Sequence, residues 1–119
     1  MTILTLVRHG ETDWNSGGRI QGSTDIPLND TGRGQARELA ERLATEYAGR
    51  EVVIVSSDLS RAAETADVIA AALGTTVSRR MPGLQERSYG DAEGLDVATF
   101  SAAYGPWHAA DVPNAETWP

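Results

Sequence analysis

Apolar positions along this chain follow two rhythms. Ile3-Leu4-Thr5-Leu6-Val7 and Val52-Val53-Ile54-Val55 are short, nearly continuous apolar runs. Such runs predict strands buried on both faces. Between them, Ala36, Leu39, Ala40, Leu43 and Tyr47 recur at helical spacing, with Arg37, Glu38, Glu41 and Arg42 on the opposite side. That spacing predicts an amphipathic helix, capped by Asp30 or Thr31, running to about Ala48 and stopped by Gly49. After the second run, Ala62, Ala66, Ile69 and Leu73 predict the buried face of another helix. Asp58 or Ser60 can cap it, and Gly74 follows its last turn. A third, shorter strand is predicted from Thr75 to Arg79, and a short helix from Leu95 to Tyr104. No helical period appears from Arg8 to Asn29, a long loop rich in Gly, Asn, Asp, Ser and Thr. A loop of that length without structure of its own is usually functional. The stretch from Met81 to Gly94, with one Pro and three Gly, predicts a shaped loop, and the stretch from Gly105 to Pro119 predicts irregular chain. Strands alternating with helices give an α/β chain of one domain, residues 1–119.

Composition narrows the function classes. With 40% hydrophobic residues the chain is built to bury a core. No apolar run approaches the roughly 20 residues of a membrane helix, and no basic segment followed by an apolar one marks a secretory signal. Cys is absent, which removes disulfides and thiolate metal sites. These features predict a cytoplasmic protein with no membrane partner. A net charge of −7 argues against nucleic acid as a partner. All ten basic residues are arginines, so every cation available to a ligand is a guanidinium. The histidines are His9 and His108, without the paired spacing of metal ligands, so no metal is expected and His108 reads as a surface or packing residue.

The chemistry gathers where the elements end. Arg8-His9-Gly10 follows the first apolar run directly. Carboxyl ends of strands are where α/β proteins hold reactive groups. His9 is both a usable nucleophile and a proton carrier near neutral pH. Arg8 offers a planar fork of donors suited to phosphate. Arg61 falls in the first turn of the second long helix, where the positive end of the helix dipole disfavours a cation by roughly 0.3–1 kcal/mol unless an anion visits. That conflict places Arg61 in an anion site. Asn15, Gly17, Gly18, Arg19, Gln21 and Gly22 can supply further donors and close backbone approach from the loop. Glu86 is a candidate general acid.

Taken together, three motifs resemble those of the histidine phosphatase superfamily, also called the phosphoglycerate mutase-like family. They are Arg8-His9-Gly10-Glu11-Thr12 with Trp14-Asn15, then Ser57-Asp58-Leu59-Ser60-Arg61-Ala62 with Thr65-Ala66, then Leu84-Gln85-Glu86 with Tyr89-Gly90 and Glu93-Gly94. The resemblance implies a three-layer α/β/α fold with a central, mostly parallel sheet. It implies that His9 attacks phosphorus and becomes a phosphohistidine, that Arg8, Arg61 and Asn15 bind phosphate oxygens, that Gln21 and Gly22 touch substrate, and that Glu86 donates the proton. It implies a small phosphorylated substrate and no cofactor or metal.

Members of the family carry a second catalytic histidine beyond the third motif, and no residue here matches it. The expectation is therefore a domain incomplete at its C-terminus, a fragment of a longer protein rather than a truncated gene product or a short form completed by a partner chain. An open strand edge makes a homo-oligomer plausible. The compact stretch after Glu86, with Asp96-Val97 where glycolytic mutases carry Asn-Lys, favours a phosphatase. The alternatives are mutase-type phosphoryl transfer and a non-catalytic binder of phosphorylated ligands.

Overall fold

The computed structural model describes residues 2–106 and 110–117 of the chain. Helix α1 spans Asp13–Ser16, α2 Asp30–Glu46, β1 Ile54–Ser57, α3 Ser60–Ala72, β2 Val77–Met81 and α4 Val97–Tyr104, with 3-10 turns at Pro82–Leu84 and Gly90–Ala92. β1 and β2 pair in parallel, Ile54 opposite Val77 and Ser57 opposite Met81, with an irregularity between Ile54 and Val55. α3 is the crossover between them and packs on both strands, while α2 packs on α3. The core lies in this stack. Ala40, Leu43 and Ile69 are its buried centre, and Leu39, Tyr47, Ile54, Val68 and Leu73 close around it. Arg33 of α2 donates to Glu64 of α3 at 2.6 Å and ties the two helices at their rim.

The first apolar run departs from expectation. Residues 3–7 join no sheet, and Ile3, Leu4, Leu6 and Val7 are 57, 81, 86 and 40% exposed. Val53 and Val55 are exposed as well. A continuous apolar run signals burial on two faces. Among the described residues, helix α3 covers only one face of the sheet, so that signal goes unanswered. The other strands shift by about two residues: the second run forms β1 at Ile54–Ser57 instead of Val52 to Val55, and the third strand sits at Val77–Met81. The 8–29 loop is also not free of helix, since α1 forms inside it. There Thr12 and Asn15 close a capping box, each side chain bonding the other's backbone N–H.

The caps differ from those expected. Asn29, not Asp30 or Thr31, caps α2 by accepting from Gly32 N. On α3 the cap residue is Leu59, which has no side-chain bond to give. Ser57 Oγ accepts from Leu59 N instead, and Asp25 Oδ1 accepts from both Ser60 N and Ser60 Oγ at 2.7 Å. The two hydrogen bonds from Ser60 hold the Asp25 carboxyl below its ordinary range. Asp58 is drawn away to accept from Gln85 Nε2 at 2.6 Å. In α3, Ala63 is buried and Ala62 only half-buried, because the buried face follows Arg61, Thr65 and Ala66 into the site.

Gly32 in the first turn of α2 permits a backbone crossing. A Cβ there would run into the carbonyl, amide and carbonyl carbon of Glu11, and a Cβ on Gly10 would run into Gly32. Gly34, two residues on, has only Arg37 Nη2 within 4 Å. Replacing an interior helical Gly by Ala stabilises by about 1 kcal/mol where space allows. Gly34→Ala is therefore expected to raise the melting temperature by a few degrees. Gly32→Ala meets backbone that cannot yield, and overpacking of about 1–3 kcal/mol outweighs the propensity gain. Thermal unfolding of the two variants should move in opposite directions. A rise for both would refute the crossing.

Candidate active site

The segment carrying His9 is held by helices instead of by a strand. Gly10 N donates to Thr65 Oγ1 of α3 at 3.4 Å, and Glu11 N to Gln35 Oε1 of α2 at 2.8 Å. Asn29 N and Asn29 Nδ2 donate to the Glu11 carbonyl and to Glu11 Oε1, each at 3.0 Å. These bonds and the Gly10–Gly32 crossing fix the backbone on either side of the imidazole.

His9 is half-buried, with Nδ1 2.6 Å from its neighbour's carbonyl, Gly10 O. A carbonyl only accepts, so Nδ1 carries the proton and Nε2 keeps its lone pair. Burial lowers the imidazole pKa below 6.5. The Gly10 hydrogen bond opposes that shift, Arg61 adds to it, Glu86 opposes it and Arg8 adds to it. Neutral imidazole is therefore the resting form at pH 7, as a nucleophile requires. The unfolded state binds more protons between the folded pKa and 6.5, so the folded state loses stability as pH falls through that window and loses none to this group above it. An NMR titration of the His9 ring should show a midpoint below 6.5, and a midpoint above it would refute the neutral resting form.

A cavity of about 470 Å³ opens beside the ring, lined by Arg8, His9, Asn15, Arg19, Ile20, Gln21, Glu86 and Tyr89. Arg8 is exposed on its wall. Asn15 Oδ1 is committed to Thr12 N at 3.1 Å, which leaves its Nδ2 donors for a ligand. Gln21 is buried and accepts from Thr12 Oγ1. Burial raises the Tyr89 phenol, the Glu86 charge adds to that, and Arg87 opposes it.

Arg61 and Gly22 lie behind this wall. The Arg61 side chain is 1% exposed. Its Nη1 donates to Thr24 O at 2.6 Å, and its Nη2 to Gly22 O at 2.5 Å and to Glu86 Oε2 at 3.2 Å. Burying a guanidinium is costly unless every donor finds a partner, and here two carbonyls and a carboxylate serve. Both Arg8 and Arg61 are close enough to shift the His9 equilibrium. The site thus concentrates positive potential at a neutral imidazole, with one carboxylate alongside.

A family model, histidine phosphatase superfamily (branch 1), matches residues 4–119. The chain belongs to this superfamily.

It is 46% identical over 122 residues to a metal-independent phosphoserine phosphatase of Arabidopsis thaliana, covering 96% of this chain and 50% of that protein. It is 49% identical over 92 residues to phosphoglycerate mutase-like protein 4 of the same plant, covering 77% of this chain and 39% of that one. Among solved structures, a mycobacterial glucosyl-3-phosphoglycerate phosphatase in complex with VO3 superposes with a TM-score of 0.73 at 41% identity, over 80% of this chain and 44% of that one. The chain spans about half the length of the curated relatives it matches. Histidine phosphatases have a three-layer α/β/α fold, and the parallel β1–β2 pair under α3 belongs to it.

The cavity wall brings together Arg8, His9, Asn15, Gln21 and Glu86 from three separate stretches of sequence. Reading the sequence left Ile20 and Tyr89 off the wall and gave Arg19 no more than a loop donor's role. Tyr89 follows Glu86 by three residues, a spacing that carried no chemical signal of its own. Asp25 was missed because it caps a helix 35 residues away, beyond the reach of any local rule. His108 lies outside the described residues.

Proposed function

We propose that this chain carries the phosphoryl-accepting site of a metal-independent phosphomonoester hydrolase. The observation behind this reading is the setting of His9: its Nδ1 meets the Gly10 carbonyl, which leaves Nε2 its lone pair, on a wall shared with Arg8 and Glu86 and backed by Arg61. In the first step Nε2 bonds to phosphorus as the ester P–O bond breaks. The leaving oxygen takes a proton through Glu86, whose carboxylate first receives it from the hydroxyl of a phosphomonoester monoanion. In the second step water attacks the phosphohistidine, the P–N bond breaks, and the Glu86 carboxylate takes the water's proton. Arg8 holds phosphoryl oxygens from the wall, Asn15 and Gln21 flank them, and Gly22 shapes the turn behind them. Arg61 adds a second guanidinium charge where negative charge grows. The relative named a metal-independent phosphoserine phosphatase supports chemistry without a metal. A small phosphorylated molecule is the substrate class that a cavity of about 470 Å³ admits, and the cytoplasm is the compartment that an acidic, Cys-free chain fits.

The acid role is tested by the leaving group. Alkyl phosphates need a proton on departure and p-nitrophenyl phosphate does not. Glu86→Gln is expected to slow alkyl phosphate hydrolysis by about 10²–10⁴-fold and p-nitrophenyl phosphate hydrolysis by much less, both in EDTA. Equal slowing of the two substrates would remove Glu86 from the acid role.

A further inference from the structure

The mechanism leaves Glu93 without a task, although two groups of the 22–24 turn bond its carboxylate. Its Oε1 accepts from Thr24 N at 2.9 Å and from Ser23 Oγ at 3.4 Å. The segment that follows it is stitched to the same loop: Gly94 N donates to Ile20 O at 2.7 Å, Ile20 N to Leu95 O at 2.9 Å, and Arg19 Nη1 to Gly94 O at 2.7 Å. Gly22, at φ +56°, lies beneath this clamp, and a Cβ there would run into the Glu93 carboxylate and the Tyr89 ring. The close fit leaves no room for another residue at that turn.

Three consecutive peptide groups explain what the clamp does. The peptide joining residues 22 and 23 gives its carbonyl to Arg61 Nη2, and the peptide joining 24 and 25 gives its carbonyl to Arg61 Nη1. The peptide between them gives its N–H, on Thr24, to Glu93 at 2.9 Å and to the Gln21 carbonyl of the same turn at 3.1 Å. A turn free to rotate about its central peptide would aim these carbonyls elsewhere and strip two partners from a buried guanidinium. Glu93 anchors that central peptide from outside the turn, beside the turn's own Gln21 carbonyl.

We propose that Glu93 is a positioning residue. It locks the 22–24 turn so that two backbone carbonyls hold Arg61, and through the 3.2 Å Arg61–Glu86 contact it sets the carboxylate facing His9. The proposal rests on reading Arg61 and Glu86 as active-site groups.

The test uses isotope-labelled 119-residue chain, unsubstituted and as Glu93→Ala and Glu93→Gln. NMR reads three things: hydrogen-exchange protection of the Thr24 amide, the Arg61 side-chain N–H signals, and the dissociation constant for inorganic phosphate. Glu93→Ala should lower Thr24 protection about threefold, since the Gln21 carbonyl still accepts from that amide, and move the Arg61 signals toward those of a free guanidinium. The Leu43 and Ile69 amides in the core should keep their protection. The phosphate dissociation constant should rise about tenfold. Glu93→Gln retains an oxygen acceptor and should restore all three readings to near those of the unsubstituted chain. Unmoved Arg61 signals in Glu93→Ala would overturn the proposal, as would core protection falling in step with Thr24. Should Glu93→Ala not fold, scalar coupling across the hydrogen bond from Thr24 N to the Glu93 carboxylate carbon decides the matter in the unsubstituted chain, and its absence overturns the proposal. If the unsubstituted chain binds no phosphate, the active-site reading fails while the Arg61 signals still decide the positioning role.

Discussion

His9→Ala is expected to reduce phosphate release from p-nitrophenyl phosphate by on the order of 10⁴-fold or more, with the fold intact. The size of the effect follows from the role. A general acid or an anion-binding cation can be lost with part of the rate enhancement surviving, but the atom that forms the covalent bond has no substitute. The fold should survive because the imidazole is half-buried and its hydrogen bond is to the adjacent Gly10 carbonyl, a local contact. The bonds that hold this segment run through Gly10, Glu11 and Asn29. Near-UV circular dichroism should therefore match the unsubstituted chain. Retention of most of the turnover in His9→Ala would exclude it as the nucleophile.

The second large effect is that of Arg61→Ala, and it has two parts. Removing the guanidinium leaves the buried Gly22 carbonyl without its partner at a site where Arg61 is 1% exposed, while the Thr24 carbonyl keeps Ile26 N at 3.0 Å. A buried unpaired carbonyl costs about 1–3 kcal/mol, and breaking a buried charge pair costs about 3–5 kcal/mol when the other partner is buried too. Glu86 is 43% exposed in its side chain, so water replaces most of that second loss. A destabilisation of about 3 kcal/mol is expected in a urea titration. The second part is affinity: loss of one guanidinium charge should weaken phosphate or vanadate binding by roughly tenfold to a hundredfold. Arg61→Lys separates the two. A lysine keeps the charge but cannot reach two carbonyls and a carboxylate with a planar fork, so it should recover affinity more than stability. Unchanged affinity in Arg61→Ala would take Arg61 out of the site.

Much of this arrangement is legible in the chain. The two long helices follow from apolar spacing, because one side of each packs on a neighbour within the same stack. Arg61 stands out because a cation at a helix N-terminus runs against the dipole, and the structure answers with carbonyls at the end of a loop. The first strand misled for an equally physical reason. Ile3 to Val7 reports a preference for burial, while strand formation needs an edge to pair with and a second layer to cover it, and neither is supplied among the described residues. The Asp25 bonds at the start of α3 and the Glu93 clamp were invisible because they act across 35 and 69 residues of sequence. Local rules describe a helix start by its own neighbours, and here the neighbour comes from another loop. The site divides the same way: residues at element ends are legible, while those that set their orientation from behind the wall are found only in three dimensions.

The proposed chemistry turns on a covalent phosphohistidine at His9. Rapid acid-free quenching of the chain with a phosphomonoester, digestion and mass spectrometry would show it directly. One added phosphoryl group is expected on the peptide bearing His9, lost on acid treatment and absent from His9→Ala. Turnover with no such adduct, or an adduct that persists in His9→Ala, would contradict that chemistry.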